Sequence, residues 1–300
     1  MLDGKVVIVT GAGSGLGEAT AKAMAAAGAT VVINDLDTGD DESPLDRTAD
    51  EIRAHDGTVT TSFGDVTDFS YIERLVDETL AEHDRIDGAV NYAGFLRDGM
   101  LFNMNEDEWK SVISVHLDGH FNLVHHLGKH WRQRHKAGEL DDQRSFVSVS
   151  SGSARGSVGQ INYSTAKAGV LGLTRTAARE LERYNVRVNA MVPAALTPMM
   201  EDNVPDEVLA ELPTDELNPE RVAPLPVALL SDRANDITGW TFAIAGNSVF
   251  TVSDPEFGRE LKMEGGWNPP GLADSLDELV GGEPRSKTSP GGLIGKLSED

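Results

Sequence analysis

The sequence of 300 residues contains no cysteine and no long apolar segment. Without cysteine the chain forms neither disulfide bonds nor thiolate metal sites. No apolar run reaches the roughly 18 residues that a membrane-spanning helix needs. The first apolar run, Val6–Val9, leads directly into a glycine-rich turn, so it predicts a strand rather than a signal peptide. We therefore expect a cytoplasmic protein with no membrane partner.

Basic residues are scarce as well. Lysine and arginine number 26 against 49 aspartates and glutamates, which gives a formal net charge of −23. Nucleic acid is not an expected partner, because no basic stripe offsets the acidic residues. An acidic surface of this size suits a cytoplasm of high salt, where screening removes self-repulsion. A halophilic source and an ordinary acidic enzyme both remain open as interpretations.

The amino-terminal segment has the pattern of a dinucleotide site. Lys5–Thr10 is a β-branched run of the kind that is buried on both faces in a parallel sheet. A glycine-rich turn follows, and then a helical run begins at Glu18 and ends at Gly28. The glycines allow close approach of a pyrophosphate, and the helix N-terminus supplies N–H groups. The predicted cofactor contacts here are Thr10, Gly11, Gly13, Ser14, Gly15, Leu16 and Gly17.

Asp35 ends the second predicted strand, Thr30–Asn34. An acid at this place accepts hydrogen bonds from the adenosine ribose and repels a 2′-phosphate. It therefore favours NAD over NADP as the cofactor. The alternative is an ordinary loop aspartate or a helix cap, but the distance from the glycine turn, roughly twenty residues, fits the ribose role.

The best candidates for chemistry are Tyr163 and Lys167. Residues four apart share a face of a helix, so both side chains can point into one site. A nearby cation lowers the pKa of a phenol, which makes a general acid–base near neutral pH. Ser150, at the end of an apolar run, could hold the oxygen of a substrate beside that phenol. Because the Tyr–Lys spacing is common by chance, the alternative is a pair of exposed helix residues.

Strands and helices alternate along the rest of the chain. Thr58–Phe63 and Ile86–Val90 are predicted strands, Phe69–His83 is an amphipathic helix, and Asn185–Val192 is a later strand. Asp65 and Val66 follow the third strand and could border an adenine, although a simple strand-end turn explains them equally. Small residues after the fourth strand let the backbone pass close to a cofactor. The candidates there are Asn91, Ala93 and Gly94.

The alternation predicts a single α/β domain, a Rossmann-type doubly wound parallel sheet. It covers residues 1–250. Residues 251–280 form an extension of unknown role, and residues 281–300 have the composition of a disordered tail. Thr38–Arg47 is predicted to be an exposed insertion. An irregular acidic segment from Pro193 to about Pro219 is placed to cover the substrate.

Histidines are concentrated in one predicted helical region, which begins at Glu106. Six of the eight lie in it or directly after it. They are His116, His120, His125, His126, His130 and His135. Two pairs have the i,i+4 spacing of one helix face, but no carboxylate is placed as a clear third ligand, so we expect packing rather than a metal site.

Taken together, these motifs resemble the short-chain dehydrogenase/reductase family over about residues 3–250. The motifs are Thr10-Gly-x-x-x-Gly-x-Gly17, Asp65-Val66, Asn91-x-Ala-Gly94, Ser150, Tyr163-x-x-x-Lys167, and Pro193 with Thr197. Within the family, the (3R)-hydroxyacyl-CoA dehydrogenase and 3-oxoacyl reductase branch is most similar. The stretches that carry this likeness are Val32–Leu36, Gly94–Asp98, His116–Phe121 and Gly159–Ser164.

The resemblance implies roles for the site residues. Tyr163 is the acid–base, Lys167 holds the nicotinamide ribose, and Ser150 orients the substrate oxygen, with Ser151 a neighbouring candidate. Pro193, Ala194 and Thr197 border the nicotinamide. His116 replaces an asparagine that in the family helps to hold a water linking the lysine to solvent. His116 is thus a departure from the family pattern, and its backbone carbonyl remains able to serve that relay.

The expected function is an oxidoreductase of lipid metabolism that interconverts a secondary alcohol and a ketone with NAD. The substrate implied by the resemblance is a small molecule, a 3-hydroxyacyl or 3-oxoacyl thioester. Alternatives are a steroid or small-alcohol dehydrogenase of the same family, and a non-catalytic NAD-binding redox sensor. No metal is required. The family also implies a homo-oligomer, either a tetramer or a dimer.

Overall fold

The computed structural model describes residues 1–39, 43–140, 142–201 and 213–281. Its contacts divide the chain into two compact units, Met1–Val252 and a second that begins at Ser253. The first unit contains the sheet and every element discussed below except one helix. Over the described ranges, no helix is both long enough and apolar enough to cross a bilayer.

An eight-stranded sheet forms the centre of the first unit, in the order β3-β2-β1-β4-β5-β6-β7-β8. The strands are β1 Val6–Thr10, β2 Thr30–Asp35, β3 Thr58–Phe63, β4 Gly88–Asn91, β5 Arg144–Val149, β6 Val186–Ala194, β7 Thr241–Ala245 and β8 Ser248–Thr251. All neighbours from β3 through β7 pair in parallel. The predicted Rossmann-type doubly wound fold is confirmed.

Helices connect the strands. They are α1 Gly15–Ala26, α2 Pro44–Ala54, α3 Phe69–His83, α4 Glu106–Ile113, α5 Gly119–Lys136, α6 Ile161–Leu181, α7 Pro198–Glu201 and α8 Pro224–Leu230. A π-helical turn, Ser114–Asp118, joins α4 to α5. In the second unit α9 spans Pro269–Val280.

Strand β1 shows why the apolar runs are continuous rather than alternating. Successive side chains of a strand point to opposite faces of the sheet. Val7 and Val9 pack into one apolar cluster, and Val6 and Ile8 pack into another. Helices cover both faces of a parallel sheet, so each of these residues is buried.

Two elements differ from the prediction. Helix α2 begins at Pro44, inside the segment predicted to be an exposed insertion, because Ser43 caps it by accepting a hydrogen bond from the backbone N of Asp46 at 3.0 Å. Strand β8 is antiparallel to β7. A two-residue turn with Gly246 at φ +53° reverses the chain there, and so short a turn permits only antiparallel pairing.

The later segments also differ. The irregular region after Pro193 contains α7, and part of it, residues 202–212, lies outside the described residues. The extension over residues 251–280, whose role the sequence left open, contains α9. Of the predicted disordered tail only Gly281 is described, and it ends α9 with φ +72°. The rest of that prediction lies outside the described residues.

Candidate active site

Helix α6 presents the predicted catalytic pair from its first two turns. Lys167 Nζ lies 5.6 Å from the centroid of the Tyr163 ring. The helix is anchored by Asn162, which is fully buried and donates from Nδ2 to the backbone O of Arg97 at 2.8 Å and of Glu108 at 3.1 Å. The predicted shared face of this helix is therefore found, and it opens onto the carboxyl end of β5.

Lys167 is almost completely buried, with 4% of its surface exposed. Its Nζ donates to the backbone O of Val149, the last residue of β5, at 2.7 Å. Burial is the single cause that lowers the pKa of Lys167 from 10.5 to about 7. Its charge is therefore poised to change near neutral pH, which is the range a proton-transfer site uses.

The phenol of Tyr163 does not follow the prediction. Burial raises the pKa of Tyr163, and the charge of Asp98 acts in the same direction. A hydrogen bond with the Ser151 side chain opposes both. The expected lowering by Lys167 is not found, because a lysine whose own pKa is about 7 is uncharged where the phenol titrates. In this structure the phenol is held in its protonated form.

The two neighbouring serines have different hydrogen-bond partners. Ser150 is 2% exposed, and its Oγ donates to the backbone O of Lys167 at 2.8 Å, so it fastens β5 to α6. Ser151 is the serine that meets the Tyr163 hydroxyl. Ser151 is also the cap of a 3₁₀ turn, Gly152–Arg155, where its Oγ accepts from the backbone N of Ser153 at 3.2 Å. The hydroxyl of Ser150 is thus directed to the backbone of α6, and its assignment as the substrate-facing serine stays a prediction.

His116 lies in the π-helical turn and is 1% exposed. Its ring meets the Tyr163 ring edge-on with centroids 4.9 Å apart. Nε2 lies 2.8 Å from the backbone O of Phe95 and 3.2 Å from its N. Burial lowers the pKa of His116 well below 6.5, so the ring is neutral. A Cβ on Gly94 would stand 2.0 Å from the ring, so a glycine is required there.

The segment that follows Gly94 forms one wall of the site, and sequence reasoning did not assign it. Gln160 donates from Nε2 to Asp98 Oδ2 at 2.8 Å and accepts from Ser153 Oγ at 2.9 Å. The backbone N of Gly99 donates to the O of Gly159 at 2.7 Å. These partners lie far apart in the sequence, so no local pattern could have revealed the wall.

The glycine turn is as crowded as a dinucleotide cradle requires. A Cβ on Gly11 would lie 2.5 Å from the backbone N of Ala93, and one on Gly17 would lie 1.9 Å from the O of Gly11. Gly13 donates its N–H to Asp35 Oδ2 at 2.9 Å, which brings the acid of β2 to the turn as predicted. Ser14 precedes α1, and its side chain makes no capping hydrogen bond.

The cofactor candidates from the neighbouring strands gather at the same edge of the sheet. Asn91 Oδ1 accepts from Thr10 Oγ1 at 2.8 Å and from the backbone N of Ala93 at 3.0 Å, while Asn91 Nδ2 is buried without a partner. Val66 is buried, and its O accepts from Asn122 at 2.9 Å. Asp65 is exposed, and its Oδ1 accepts from the backbone N of Thr67, as in a simple strand-end turn.

The remaining candidates lie at the end of β6. Pro193 and Ala194 are its last residues, and Thr197 follows just before α7. A Cβ on Gly15 would lie 3.4 Å from the side chain of Thr197, so this segment faces the first turn of α1. Leu16 lies in that turn. With the crowded glycines and the unpartnered amide of Asn91, these residues fit a dinucleotide cofactor.

The predicted histidine pairs are not arranged as a ligand set. His120 Nδ1 donates to the backbone O of His116 at 2.6 Å, and the His126 ring packs on Phe69 with centroids 4.3 Å apart. Across the described ranges there is no group of three or more histidines and carboxylates placed to hold a metal ion.

The model of the family described as short chain dehydrogenase matches residues 5–208. This chain belongs to that family. A hydroxyacyl-CoA dehydrogenase of Mycobacterium tuberculosis is 38% identical over 98% of this chain and 94% of the relative. A 3-oxoacyl-[acyl-carrier-protein] reductase of Thermotoga maritima is 35% identical over 83% of this chain and 99% of the relative.

A solved structure extends the likeness to the whole fold. The crystal structure of a short chain dehydrogenase from Mycobacterium avium superimposes with a TM-score of 0.84 at 38% identity, over 93% of this chain and 95% of that one. The chain is therefore an oxidoreductase that acts on CH–OH groups, and members of its family use NAD(P). The predicted family and enzyme class are confirmed.

Proposed function

We propose that this short-chain dehydrogenase interconverts 3-hydroxyacyl and 3-oxoacyl thioesters with NAD, through Ser151, Tyr163 and Lys167. One observation carries the proposal. The hydroxyls of Ser151 and Tyr163 meet beside a buried lysine whose pKa is lowered to about 7. Two hydroxyl donors side by side suit a single carbonyl oxygen, which accepts two hydrogen bonds.

The thioester assignment is supported by relatives. Those named as hydroxyacyl-CoA dehydrogenase and 3-oxoacyl-[acyl-carrier-protein] reductase cover most of this chain at more than 30% identity. Both names describe the same functional group, a hydroxyl or ketone at the third carbon of a thioester. The assignment places the enzyme in lipid metabolism.

The mechanism follows from the donors. Ser151 and Tyr163 donate hydrogen bonds to the substrate oxygen, and the negative charge that develops there is stabilised by groups already in place. A bound nicotinamide supplies or accepts the hydride. In reduction, Tyr163 Oη transfers its proton to the substrate oxygen, and in oxidation it takes the hydroxyl proton back. Lys167, when charged, stabilises the phenolate that remains after the first transfer.

The preference for NAD rests on Asp35. Its Oδ2 is held at the glycine turn by the N–H of Gly13, and its Oδ1 accepts from the backbone N of Leu36 at 2.8 Å. A carboxylate fixed there binds ribose hydroxyls and repels the 2′-phosphate of NADP. Replacing Asp35 by Ala is expected to reduce the ratio of kcat/KM for NAD to that for NADP.

The test of the proposed chemistry is Tyr163→Phe, measured as formation of reduced nicotinamide from 3-hydroxyacyl-CoA. Loss of the proton carrier is expected to lower kcat by roughly 10²–10⁴-fold. NAD affinity, measured by calorimetry, is expected to stay within a few-fold. Tyr184→Phe is the matched control, because Tyr184 lies in the 3₁₀ turn after α6. Turnover that survives in Tyr163→Phe contradicts the mechanism.

We also propose that the enzyme is a homo-oligomer. Large apolar side chains are exposed on α4, on α5 and just before α4, and a monomer would leave them in water. They are Leu101, Phe102, Trp109 and Phe121. Light scattering after size exclusion measures the mass directly, and a mass near 32.1 kDa in molar salt contradicts this proposal.

A further inference from the structure

His120 is a second buried histidine beside the site, and both of its ring nitrogens have partners. It lies in the first turn of α5 and is completely buried. Nδ1 lies 2.6 Å from the backbone O of His116, and the backbone N of Val149 lies 3.1 Å from Nε2. A carbonyl only accepts and a peptide N–H only donates, so the ring is the neutral tautomer with its proton on Nδ1. Burial lowers the pKa of His120 to about 3, which keeps it neutral.

Val149 connects this ring to the catalytic lysine. Strand β4 ends at Asn91, which pairs with Ser148, so Val149 extends one residue beyond that ladder. Its N–H donates to His120, and its O accepts from Lys167 Nζ at 2.7 Å. The carbonyl that holds the lysine therefore belongs to a residue whose own N–H is held by the histidine.

The other end of the ring reaches the π-helical turn. The backbone O of His116 accepts from the side chain of His120. One rigid ring thus bridges the π-helical turn, whose His116 contacts Tyr163, and the end of β5.

No charged partner fixes Lys167 among the described residues. The titratable groups that face it are His116 in the π-helical turn, His120 in α5 and Tyr163 on its own helix. All three are neutral at neutral pH. The Val149 carbonyl is therefore the group that holds the ammonium, and the position of that carbonyl depends on what holds Val149.

We propose that His120 is a positioning residue for the dehydrogenase reaction, holding Val149 and the π-helical turn so that Lys167 stands at its working distance from Tyr163. The role of Lys167 in turnover rests on the proposed function, whereas its placement by His120 does not. The two parts can be measured separately, one by titration of the free protein and one by kinetics.

The first measurement is the titration of Lys167 by NMR in protein with ¹³C-labelled lysine and no cofactor, assigned with Lys167→Met. In His120→Leu the Val149 carbonyl loses its support and the ammonium loses its acceptor. The midpoint is expected to fall below that of the wild type, by about one unit, because a buried cation without an acceptor is less stable. His120→Gln, which can still accept from Val149, is expected to restore the midpoint.

The control for packing is His126→Leu. His126 is on the same helix and is buried, and its Nε2 has no partner. The variant His126→Leu is expected to lower the melting temperature about as much as His120→Leu does. It is not expected to change the titration midpoint of Lys167. If His120→Leu lowers the melting temperature equally and leaves the midpoint unchanged or raised, His120 is merely structural and the proposal is overturned. If His120→Leu does not fold, His120→Asn takes its place, because this variant keeps only the hydrogen bond to the backbone O of His116. The titration midpoint of Lys167 must then fall in His120→Asn by the same amount.

The kinetic measurement uses 3-oxoacyl-CoA and NADH. At neutral pH kcat of His120→Leu is expected to fall roughly ten- to a hundredfold, as for a catalytic group misplaced by about 1 Å. The deficit should shrink as the pH is lowered, because acid restores the charge of Lys167. A deficit that is constant with pH contradicts the inference. The wild type could prove inactive with this substrate while His120→Leu still shifts the titration midpoint of Lys167. That result would refute the proposed function and leave the placement of Lys167 by His120 standing.

Discussion

At the scale of single residues, the site depends on which serine faces the phenol. Ser150 points its hydroxyl back to helix α6, and Ser151 meets Tyr163. Both lie at the end of β5, and successive residues of a strand project to opposite sides.

Paired serine variants test this assignment. Ser151→Ala removes a donor to the substrate oxygen, and kcat is expected to fall about 10²–10³-fold. Ser150→Ala removes a structural hydrogen bond, and it is expected to cost about 1 kcal/mol of stability while kcat changes by only a few-fold. Initial rates and urea unfolding of both variants decide the matter. The reverse ranking of the two rates would restore Ser150 as the substrate-facing serine.

The buried lysine predicts a dependence of stability on pH. The pKa of Lys167 is about 7 in the folded protein and near 10.5 when the chain is unfolded. Between these values the unfolded chain binds the additional proton, so the free energy of unfolding rises with pH across that window. Lys167→Met lacks this contribution. The free energy of unfolding of Lys167→Met, relative to that of the wild type, is therefore expected to decline from pH 7 to pH 9 in urea titrations. A difference between the two proteins that stays constant with pH would contradict the lowered pKa of Lys167 in the folded state.

At the scale of elements, α6 and the wall after Gly94 hold each other through one amide. Asn162 donates twice from Nδ2, and its Oδ1 accepts from the backbone N of Tyr163 at 2.7 Å. It therefore joins the wall, α4 and the start of α6. The position of Tyr163 depends on the contact of these three segments as much as on the helix that carries it.

Asn162→Ala tests that connection. It removes the hydrogen bonds to the carbonyls of Arg97 and Glu108 and to the N–H of Tyr163, so it is expected to lower stability by roughly 1–3 kcal/mol and to reduce kcat as well. Ser43→Ala is a matched control for stability, because it removes the cap of α2, at a cost of about 1 kcal/mol, and leaves the hydrogen bonds of Asn162 in place. Equal effects of both variants on kcat would mean that Asn162 matters only for stability.

At the scale of the whole molecule, the doubly wound sheet sets where chemistry can occur. The carboxyl ends of β1, β2, β4, β5 and β6 bring the glycine turn, Asp35, Asn91, the two serines and Pro193 to one edge. Parallel sheets bind ligands in the crevice outside these ends. The whole chain carries a formal net charge of −23.

That charge predicts how salt acts on the protein. The screening length falls from about 10 Å at 0.1 M salt to about 3 Å at 1 M, so repulsion among surface carboxylates weakens. The melting temperature is expected to rise with potassium chloride up to molar concentration. Calorimetry across that series is the measurement. A protein most stable at the lowest salt would exclude the halophilic interpretation and leave an ordinary acidic enzyme.

The sequence by itself determined the elements whose causes are local. The turn Gly11–Gly17 can be predicted from the sequence because only glycine tolerates such crowding. The pair Tyr163 and Lys167 can be predicted because helix periodicity places both residues on one face. The alternation of strand and helix was sufficient to predict the doubly wound sheet. Such features depend on neighbours within a few residues, which a pattern can report.

Only the tertiary structure decided the contacts that link distant segments. Ser151 rather than Ser150, the bridge made by His120, and the wall held by Asn162 each depend on where β5 ends relative to α5 and α6. The raised pKa of Tyr163 is likewise a consequence of desolvation by residues remote in the chain. Burial and long-range hydrogen bonds arise from the packing of the whole domain, so no local spacing encodes them.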